Sequence, residues 1–357
     1  MDWVRKLIDF LYVNQRKRIF RHYPNPEDAH KVAIKLSQRI DQLGLSKLLL
    51  DNSTNYREGQ VIVTNAAGSN KNGDIPPSVM RYLGFQHITV GTVTHEPWPG
   101  NPAEQRIWRY DGSLVNWLGL PGIGSHFVSE VLDRYREQIF NSDGTYAIPV
   151  RVNLMATPSK KDNEAMIDDM LATIDDLCWV ANEWELNISC PNTHSGEGAL
   201  GGDYQRNLDA MLAAITRSTM KPVYVKLSPD LSRGGLRETL DVGKDHPISG
   251  WTEVNTTTSH VKRYIPESPT VDGKAVGGAS GEALYELAQK QHLAIVEEIT
   301  ENHASQDWKL NVTGAMNSVD RMRERVDTGK GLVRQVQVYT GGIYKGPGLV
   351  RELRKAV

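Results

Sequence analysis

From residue 60 onward, short apolar runs rich in β-branched residues alternate with longer amphipathic segments. Near-continuous hydrophobicity in short runs is typical of parallel strands that are covered on both faces. Helical periodicity between the runs predicts helices packed outside the sheet. Eight strands are predicted, at Val61–Thr64, His87–Val93, Ile148–Leu154, Trp184–Cys190, Val223–Leu227, Trp251–Thr256, Lys309–Thr313 and Gln335–Tyr339.

This alternation predicts an α/β protein with a (β/α)8 barrel, because eight strand–helix units follow one another in a single stretch. A doubly wound sheet is the alternative, but no GxGxxG motif follows the first strand. In one predicted helix, the apolar stripe that begins at Met166 includes Cys178, so Cys178 is expected in the core.

The first residues differ in character from the barrel. Apolar residues recur at helical spacing up to Leu11 within a basic segment that runs to Arg21, and a second helix is predicted over Glu27–Leu43. We therefore divide the chain into a small N-terminal helical extension, residues 1–48, and a barrel, residues 49–357. The basic amphipathic helix suits an anionic membrane surface. Alternatively, the two helices cap one end of the barrel with a solvated basic rim.

Composition narrows the possible classes of protein further. The 357 residues are 39% hydrophobic, enough for one barrel-sized core, and the net charge of −2 gives no reason to expect nucleic acid as a partner. The two cysteines cannot build a disulfide framework and fit a reducing compartment. No apolar run has the roughly 20 residues that a spanning helix needs, and no secretory signal is expected.

Polar residues follow the predicted strands, where barrels of this type place their functional side chains. The most informative run is Glu185–Thr193, in which Asn187, Cys190 and Asn192 lie at the end of a strand. Asparagine both donates and accepts hydrogen bonds, so two of them can recognise an amide-bearing ring. A cysteine beside them is a candidate base or nucleophile.

Two further features point to a phosphorylated ligand. Glycine-rich turns follow the last two strands, where barrels hold phosphate groups through backbone N–H groups. Lys226 ends a buried strand and needs a partner there. A reduced flavin is one such partner, because a cation beside the ring favours its anionic form. Asp230 or another carboxylate is the other.

These motifs together resemble the dihydroorotate dehydrogenases, FMN-dependent barrels of pyrimidine biosynthesis. The resemblance extends over nearly the whole chain, and its matching stretches are Ala66–Gly73, Gly91–Thr94, Asn116–Leu120, Asn187–Thr193, Val225–Leu231, Asn255–Thr257, Gly277–Gly281 and Tyr339–Thr340. The N-terminal stretch from Asn25 to His30, and the segment from Gly100 to Arg106, resemble the membrane-associated, quinone-using class.

The resemblance implies specific contacts. FMN is expected at Ala66, Ala67, Gly68, Lys71, Thr92, Asn153, Asn187, Lys226, Val254, Gly278, Gly314, Tyr339 and Thr340. Dihydroorotate or orotate is expected at Lys71, Asn116, Leu118, Gly119, Leu120, Asn187, Asn192, Asn255 and Thr256. Cys190 is implied as the general base that removes the C5 proton, while a hydride passes from C6 to flavin N5.

The implied protein is a monomer that docks peripherally on a membrane, on the cytoplasmic face of the inner membrane if bacterial, and passes electrons to a membrane quinone. Four features depart from the quinone class, and one of them is the stretch Gly119–Gly122, which resembles the soluble class more. The others are that Cys190 stands where that class has serine, the segment after Thr193 lacks the usual Pro-Gly-Leu-Arg pattern, and Ala315 replaces a glycine. An FMN enzyme acting on another dihydropyrimidine, or using a soluble acceptor, is therefore the alternative, and a flavin-binding protein without turnover is a third.

Overall fold

The computed structural model describes residues 2–45, 59–188, 203–271 and 273–357. Its strands, in chain order, are β1 (Ile62–Asn65), β2 (Ile88–Val93), β3 (Ile107–Tyr110), β4 (Ser113–Asn116), β5 (Val150–Leu154), β6 (Glu183–Asn187), β7 (Val223–Lys226), β8 (Gly250–Thr252), β9 (Thr270–Val271), β10 (Lys274–Ala275), β11 (Gly278–Gly281), β12 (Lys309–Val312) and β13 (Val333–Val338). Its helices are α1 (Asp2–His22), α2 (Pro26–Gln42), α3 (Pro77–Leu83), α4 (Ser125–Asp133), α5 (Arg136–Ile139), α6 (Asn163–Leu177), α7 (Tyr204–Ser218), α8 (Arg233–Gly243), α9 (Val261–Tyr264), α10 (Tyr285–Asn302), α11 (Val319–Thr328), α12 (Thr340–Lys345) and α13 (Pro347–Ala356).

Eight parallel strands form a barrel in the order β1-β13-β12-β8-β7-β6-β5-β2. A parallel bridge between Thr64 and His87 joins β1 to β2 and brings the two ends of the sheet together. Each strand therefore lies beside its neighbours along the chain, as in a (β/α)8 barrel. All eight predicted strands are confirmed, and the doubly wound alternative is wrong because the strand order never reverses.

Successive side chains along a barrel strand point alternately to the outer apolar core and to the barrel interior. In β6, Trp184 and Leu186 face outward into the main apolar core, while Glu183 and Glu185 are fully buried within the barrel. Arg151 on β5 donates hydrogen bonds to both carboxylates. Buried charges of this kind are tolerated only when they are paired and hydrogen-bonded. The barrel interior is thus partly polar, although its strands read as apolar in sequence.

A second sheet lies outside the barrel and was not predicted. Strands β11, β4 and β3 pair antiparallel, with Asn116 opposite both Ile107 and Gly278. Strands β3 and β4 form a hairpin around Asp111 and Gly112, a two-residue turn of a type that a sequence can signal. Strand β11 comes from a distant segment, and no local pattern indicates its pairing with β4. The sheet supplies one wall of the cavity described below.

Both predicted N-terminal helices are confirmed. The Asn25 side chain caps α2 by accepting a hydrogen bond of 3.0 Å from the Glu27 N–H. The hydroxyl of Tyr12 on α1 donates to the Ile343 carbonyl oxygen at 2.7 Å, and Arg351 pairs with Asp9. Helix α1 is thereby tied to α12 and α13.

Cys178 is not a core residue, contrary to prediction. Helix α6 ends at Leu177, whose side chain is buried, and Cys178 follows as the exposed C-cap. Its thiol contacts the Asp175 carbonyl oxygen at 3.2 Å. One further residue rotates the side chain by about 100° around a helix, which takes it off the apolar face.

Candidate active site

A cavity opens at the carboxyl ends of the barrel strands, and it has about 1120 Å³ of space when the part open to solvent is included. This is the end at which barrel enzymes bind their ligands. Most predicted site residues line it, namely Ala66, Ala67, Gly68, Lys71, Thr92, Asn116, Leu118, Gly119, Leu120, Asn187, Lys226, Val254, Asn255, Thr256, Gly314, Tyr339 and Thr340.

Four of the predicted site residues are not among the residues that line the cavity. Asn153 is completely buried below it and donates to Glu185 at 2.7 Å. Gly278 lies behind the wall, where its carbonyl oxygen accepts a hydrogen bond from Asn116 at 3.3 Å. A Cβ atom on Gly278 would lie 2.0 Å from the Thr256 hydroxyl oxygen, so glycine permits this close approach. Cys190 and Asn192 are outside the described residues.

Three side chains, from β2, β6 and the segment after β8, form a connected polar chain in the cavity. The Asn187 amide nitrogen donates to the Thr92 hydroxyl at 3.1 Å, and its carbonyl oxygen accepts from the Asn255 amide at 3.1 Å. The Asn255 carbonyl oxygen in turn accepts from the Thr256 N–H at 2.9 Å. These partners fix which end of each amide faces which neighbour, so the array is ordered before a ligand binds.

Lys226 is 5% exposed at the end of β7, and its ammonium group lies 4.0 Å from a Glu185 carboxylate oxygen. The prediction that Lys226 pairs with the nearby Asp230 is wrong. Its carboxylate accepts hydrogen bonds from the Thr257 hydroxyl and the Thr258 N–H, and so organises the loop after β8. The carboxylate partner is Glu185, one strand away, and Lys226 also lines the cavity.

Lys71 approaches the cavity from the loop after β1. Asn70 holds this loop in place, because its side-chain oxygen accepts from the Ile75 N–H at 3.0 Å and its carbonyl accepts from Gly91 at 3.2 Å. His30 of α2 is close enough to feel the Lys71 charge. Burial lowers the pKa of His30, and the positive charge of Lys71 lowers it further. Helix α2 packs against this loop, because the Gln38 amide donates to the Asp74 carbonyl oxygen at 3.1 Å.

The turns after β12 and β13 meet at one side of the cavity. Thr313, Gly314 and Ala315 come from the first turn, and Tyr339, Thr340 and Gly341 come from the second. Ala315 has φ of 57°, in the left-handed region that favours glycine. Burial raises the pKa of the Tyr339 phenol to about 12, so this side chain stays neutral near physiological pH.

Sequence reasoning missed several lining residues. Ile107 and Leu114 belong to β3 and β4, a hairpin for which the Asp111-Gly112 turn was a usable signal, and Met316 follows the β12 turn. Gln337 also lines the cavity and had a usable signal. In β13, Gln335 and Gln337 alternate with valines, and polar alternation within an apolar strand places both glutamines on the same face.

Comparisons with known proteins agree with the motifs. A family model described as dihydroorotate dehydrogenase matches residues 55–357. A dihydroorotate dehydrogenase (quinone) from Haloarcula marismortui is 28% identical and aligns with 93% of this chain and 90% of its own. The corresponding protein of Pseudomonas putida is 29% identical over 97% of this chain and 98% of its own. That of a Synechococcus species is 30% identical over 82% and 75%.

Two solved structures share the fold. DHODH from Eimeria tenella in complex with ferulenol superposes with a TM-score of 0.77 at 22% identity, covering 93% of this chain and 90% of that one. The ligand-free form of the same enzyme gives a TM-score of 0.75 at 23% identity, with 93% of each chain covered. At this identity the likeness establishes the barrel architecture.

Proposed function

The chain belongs to the dihydroorotate dehydrogenase family, and from this premise we propose that it oxidises dihydroorotate to orotate in pyrimidine biosynthesis and passes the electrons through FMN to a membrane quinone. One observation carries the proposal beyond family membership. A single cavity gathers the family's motif residues from eight separate stretches of the chain, at the end of the barrel where chemistry occurs.

The residues present fit FMN. Two lysines, Lys71 and Lys226, and the glycine-containing turns at Gly314 and Gly341 offer cations and backbone donors to a phosphate and to an electron-rich ring. The side-chain oxygen of Gln337 is buried without a hydrogen-bond partner among the described residues, which leaves an acceptor for a ligand N–H. FMN, when bound, supplies the two-electron acceptor for the oxidation. We assign it to Ala66, Ala67, Gly68, Lys71, Thr92, Asn187, Lys226, Val254, Gly314, Tyr339 and Thr340, with Asn153 and Gly278 supporting these residues from behind.

The substrate would lie against the asparagine array. Lys71 provides a cation for the carboxylate of dihydroorotate, while Asn116, Asn187 and Asn255 offer donors and acceptors to the ring amides. Because Thr92 and Thr256 already orient Asn187 and Asn255, little reorganisation is needed when the ring binds. Leu118, Gly119, Leu120 and Asn192 complete the proposed substrate site.

Cys190 is the proposed base. It follows Asn187 by three residues in the sequence, and a thiol with an ordinary pKa of about 8.5 gives a usable fraction of thiolate near neutral pH. A serine hydroxyl would need an additional base to reach the same proton-accepting strength. The C5 proton of the substrate would therefore be transferred to the Cys190 sulfur.

The extension provides the proposed route to the membrane. Phe10, Leu11, Leu36 and Leu43 of α1, α2 and the following turn have between 48% and 66% of their surface exposed, and Lys17, Arg18 and Arg21 are exposed as well. Apolar and cationic groups on one surface suit an anionic bilayer. No helix in the described part of the chain is long and apolar enough to cross a membrane. We therefore propose peripheral docking.

The cavity also has an apolar side toward this extension. Ile107 and Leu114 line it from β3 and β4, the sheet against which α2 packs. Arg106, next to Ile107, forms an ion pair of 2.6 Å with Glu27 of α2. An apolar passage between the extension and the cavity would suit a quinone, which carries no charge and is soluble in the bilayer.

The proposal is tested first by mixing the purified, flavin-loaded protein with dihydroorotate in the absence of oxygen. Rapid loss of the visible flavin absorbance, restored by adding a quinone analogue, is the expected result. If another dihydropyrimidine bleaches the flavin and dihydroorotate does not, that other compound is the substrate. If fumarate or NAD restores the flavin absorbance and a quinone analogue does not, the proposal of a quinone acceptor is refuted.

Docking is tested separately with vesicles containing anionic lipid. Replacing Leu36 and Leu43 by serine removes exposed apolar surface without opening the core, so folding and flavin bleaching should be unchanged. Sedimentation with the vesicles should fall severalfold. Unchanged sedimentation would indicate that the two helices cap the barrel and do not dock on lipid.

A further inference from the structure

The floor of the cavity is organised by one buried carboxylate, Glu185. It has no exposed surface, and its two oxygens are surrounded by donors from four other strands. One oxygen accepts from the Asn153 amide at 2.7 Å and lies 4.0 Å from the Lys226 ammonium group. The other accepts from the Thr252 hydroxyl at 2.6 Å, the Gln337 amide at 2.8 Å and the Arg151 guanidinium at 3.2 Å.

These contacts determine what the floor presents to a ligand. Because the Gln337 amide nitrogen is held by Glu185, its carbonyl oxygen is the end left over, and that oxygen has no hydrogen-bond partner in the described ranges of the chain. Gln337 and Lys226 both line the cavity and both contact Glu185, so the floor offers an acceptor and a cation that share one carboxylate. It would offer a donor in place of the acceptor if the amide were reversed.

Glu185 is ionised near neutral pH. Burial raises the pKa of this carboxyl group, but the charges of Lys226 and Arg151 outweigh burial and leave the pKa below its ordinary value. The carboxylate therefore opposes part of the positive field that Lys226 projects into the cavity. A reduced flavin is anionic, so a negative charge next to the lysine makes reduction less favourable.

We propose that Glu185 is a positioning residue for the cofactor site: it turns the Gln337 carbonyl toward the bound ring, partly offsets the charge of Lys226, and thereby lowers the midpoint potential of the flavin. This inference rests on the flavin binding proposed above. Glu185 itself lies beneath Lys226 and Gln337 and acts through them.

The same strand provides a matched control. Glu183 precedes Glu185 by two residues on the same inward face of β6 and is equally buried. Its partners are Arg151, Gln335, Arg334 and His87, and none of these four is among the residues that line the cavity. Loss of either carboxylate removes a buried charge, but only loss of Glu185 changes the environment of Lys226 and Gln337.

The experiment measures the midpoint potential of the bound flavin by equilibrium titration with a reference dye. Glu185→Gln should favour the reduced flavin at least tenfold, which is an increase of about 30 mV for a two-electron couple. Glu183→Gln should change the equilibrium less than twofold. Glu185→Asp keeps the charge while losing the packing, and its potential should remain close to that of the wild type.

Other outcomes would overturn the inference. Equal shifts in Glu185→Gln and Glu183→Gln would show a general effect of removing buried charge, and an equal shift in Glu185→Asp would show an effect of packing. If Glu185→Gln does not fold, Gln337→Met tests the same arrangement from the cavity side. It should weaken FMN binding about tenfold, and undiminished binding would refute the assigned orientation.

The two proposals fail in different ways. A wild-type protein that neither carries nor takes up FMN would refute the proposed function together with this inference. If the wild type binds flavin, and folded Glu185→Gln has the same flavin midpoint potential as the wild type, only the inference is refuted.

Discussion

The ion pair between Glu27 and Arg106 joins helix α2 to the loop that precedes β3. The Arg106 guanidinium donates to both carboxylate oxygens, at 2.6 and 3.1 Å, and the two side chains are only 15% and 17% exposed. Hydrogen bonds to charged groups contribute about 1.5–3 kcal/mol, whereas exposed ion pairs contribute about 0.2–1 kcal/mol. Allowing for the remaining exposure, we expect Glu27→Gln to weaken the docking of α2 by about 1.5 kcal/mol.

Amide hydrogen exchange measures this docking directly, because helix α2 can open without unfolding the barrel. A loss of about 1.4 kcal/mol is a tenfold change in an equilibrium constant, so the amides of α2 should exchange about tenfold faster in Glu27→Gln. Exchange in the barrel strands should be unchanged. Flavin bleaching by dihydroorotate should also be unchanged, while reduction of a quinone analogue should slow severalfold.

Asp28 is a matched control on the same turn. It pairs with Lys31 at 3.2 Å, but the two side chains are 57% and 69% exposed. Asp28→Asn removes one negative charge from the first turn of α2, as Glu27→Gln does, so the effect on the helix dipole is shared. Exchange should accelerate no more than about twofold, since exposed pairs contribute little. Equal acceleration in the two variants would refute the argument that the Arg106 contact anchors the helix.

Three further predictions address the active site and the barrel interior. Cys190→Ala should retain FMN but slow its reduction by dihydroorotate about 10²–10⁴-fold, the usual contribution of a general base; a near-normal rate in stopped-flow absorbance would mean that the base is elsewhere. Gly91→Ala should lower the free energy of unfolding by about 3 kcal/mol in urea titration, because φ is 114° and the new Cβ would lie 2.1 Å from the Asn153 carbonyl oxygen; a loss below about 1 kcal/mol would contradict the close approach. The third concerns pH: burial raises the pKa of Glu183, but Arg151 and its other charged neighbours leave it well below 4.5. The ionised Glu183 side chain therefore stabilises the fold fully well above pH 4.5, and this contribution declines as the pH falls further. The free energy of unfolding, measured by urea titration, should decline less between pH 5 and about pH 3 in Glu183→Gln than in the wild type.

Local pattern was sufficient for the barrel and for most of the site. The outward face of a barrel strand packs against helices and is apolar, so the eight runs from Val61 to Tyr339 were visible one at a time, even where inward residues such as Glu183 and Glu185 are charged. Side chains that follow parallel strands meet at one end of a barrel, so the motif residues from Ala66 to Thr340 could be assigned to one site before their positions were known.

The pairing of β11 with the β3–β4 hairpin escaped prediction because it depends on contacts between distant segments. The sheet of β3, β4 and β11 pairs Asn116 with Gly278, 162 positions later, and thereby supplies Ile107 and Leu114 to the cavity wall. Cys178 follows the apolar stripe of its helix but lies one residue beyond the buried end.

The sequence by itself determined the fold class, the family and which residue types meet at the site, because periodicity and short motifs are properties of neighbouring residues. Only the tertiary structure decided how those residues are paired. Lys226 is matched to Glu185 and not to the nearby Asp230, and Gln337 is oriented by a carboxylate 152 positions away. Such pairings follow from the barrel's register, which brings side chains of different strands to the same level, and no local pattern encodes that level.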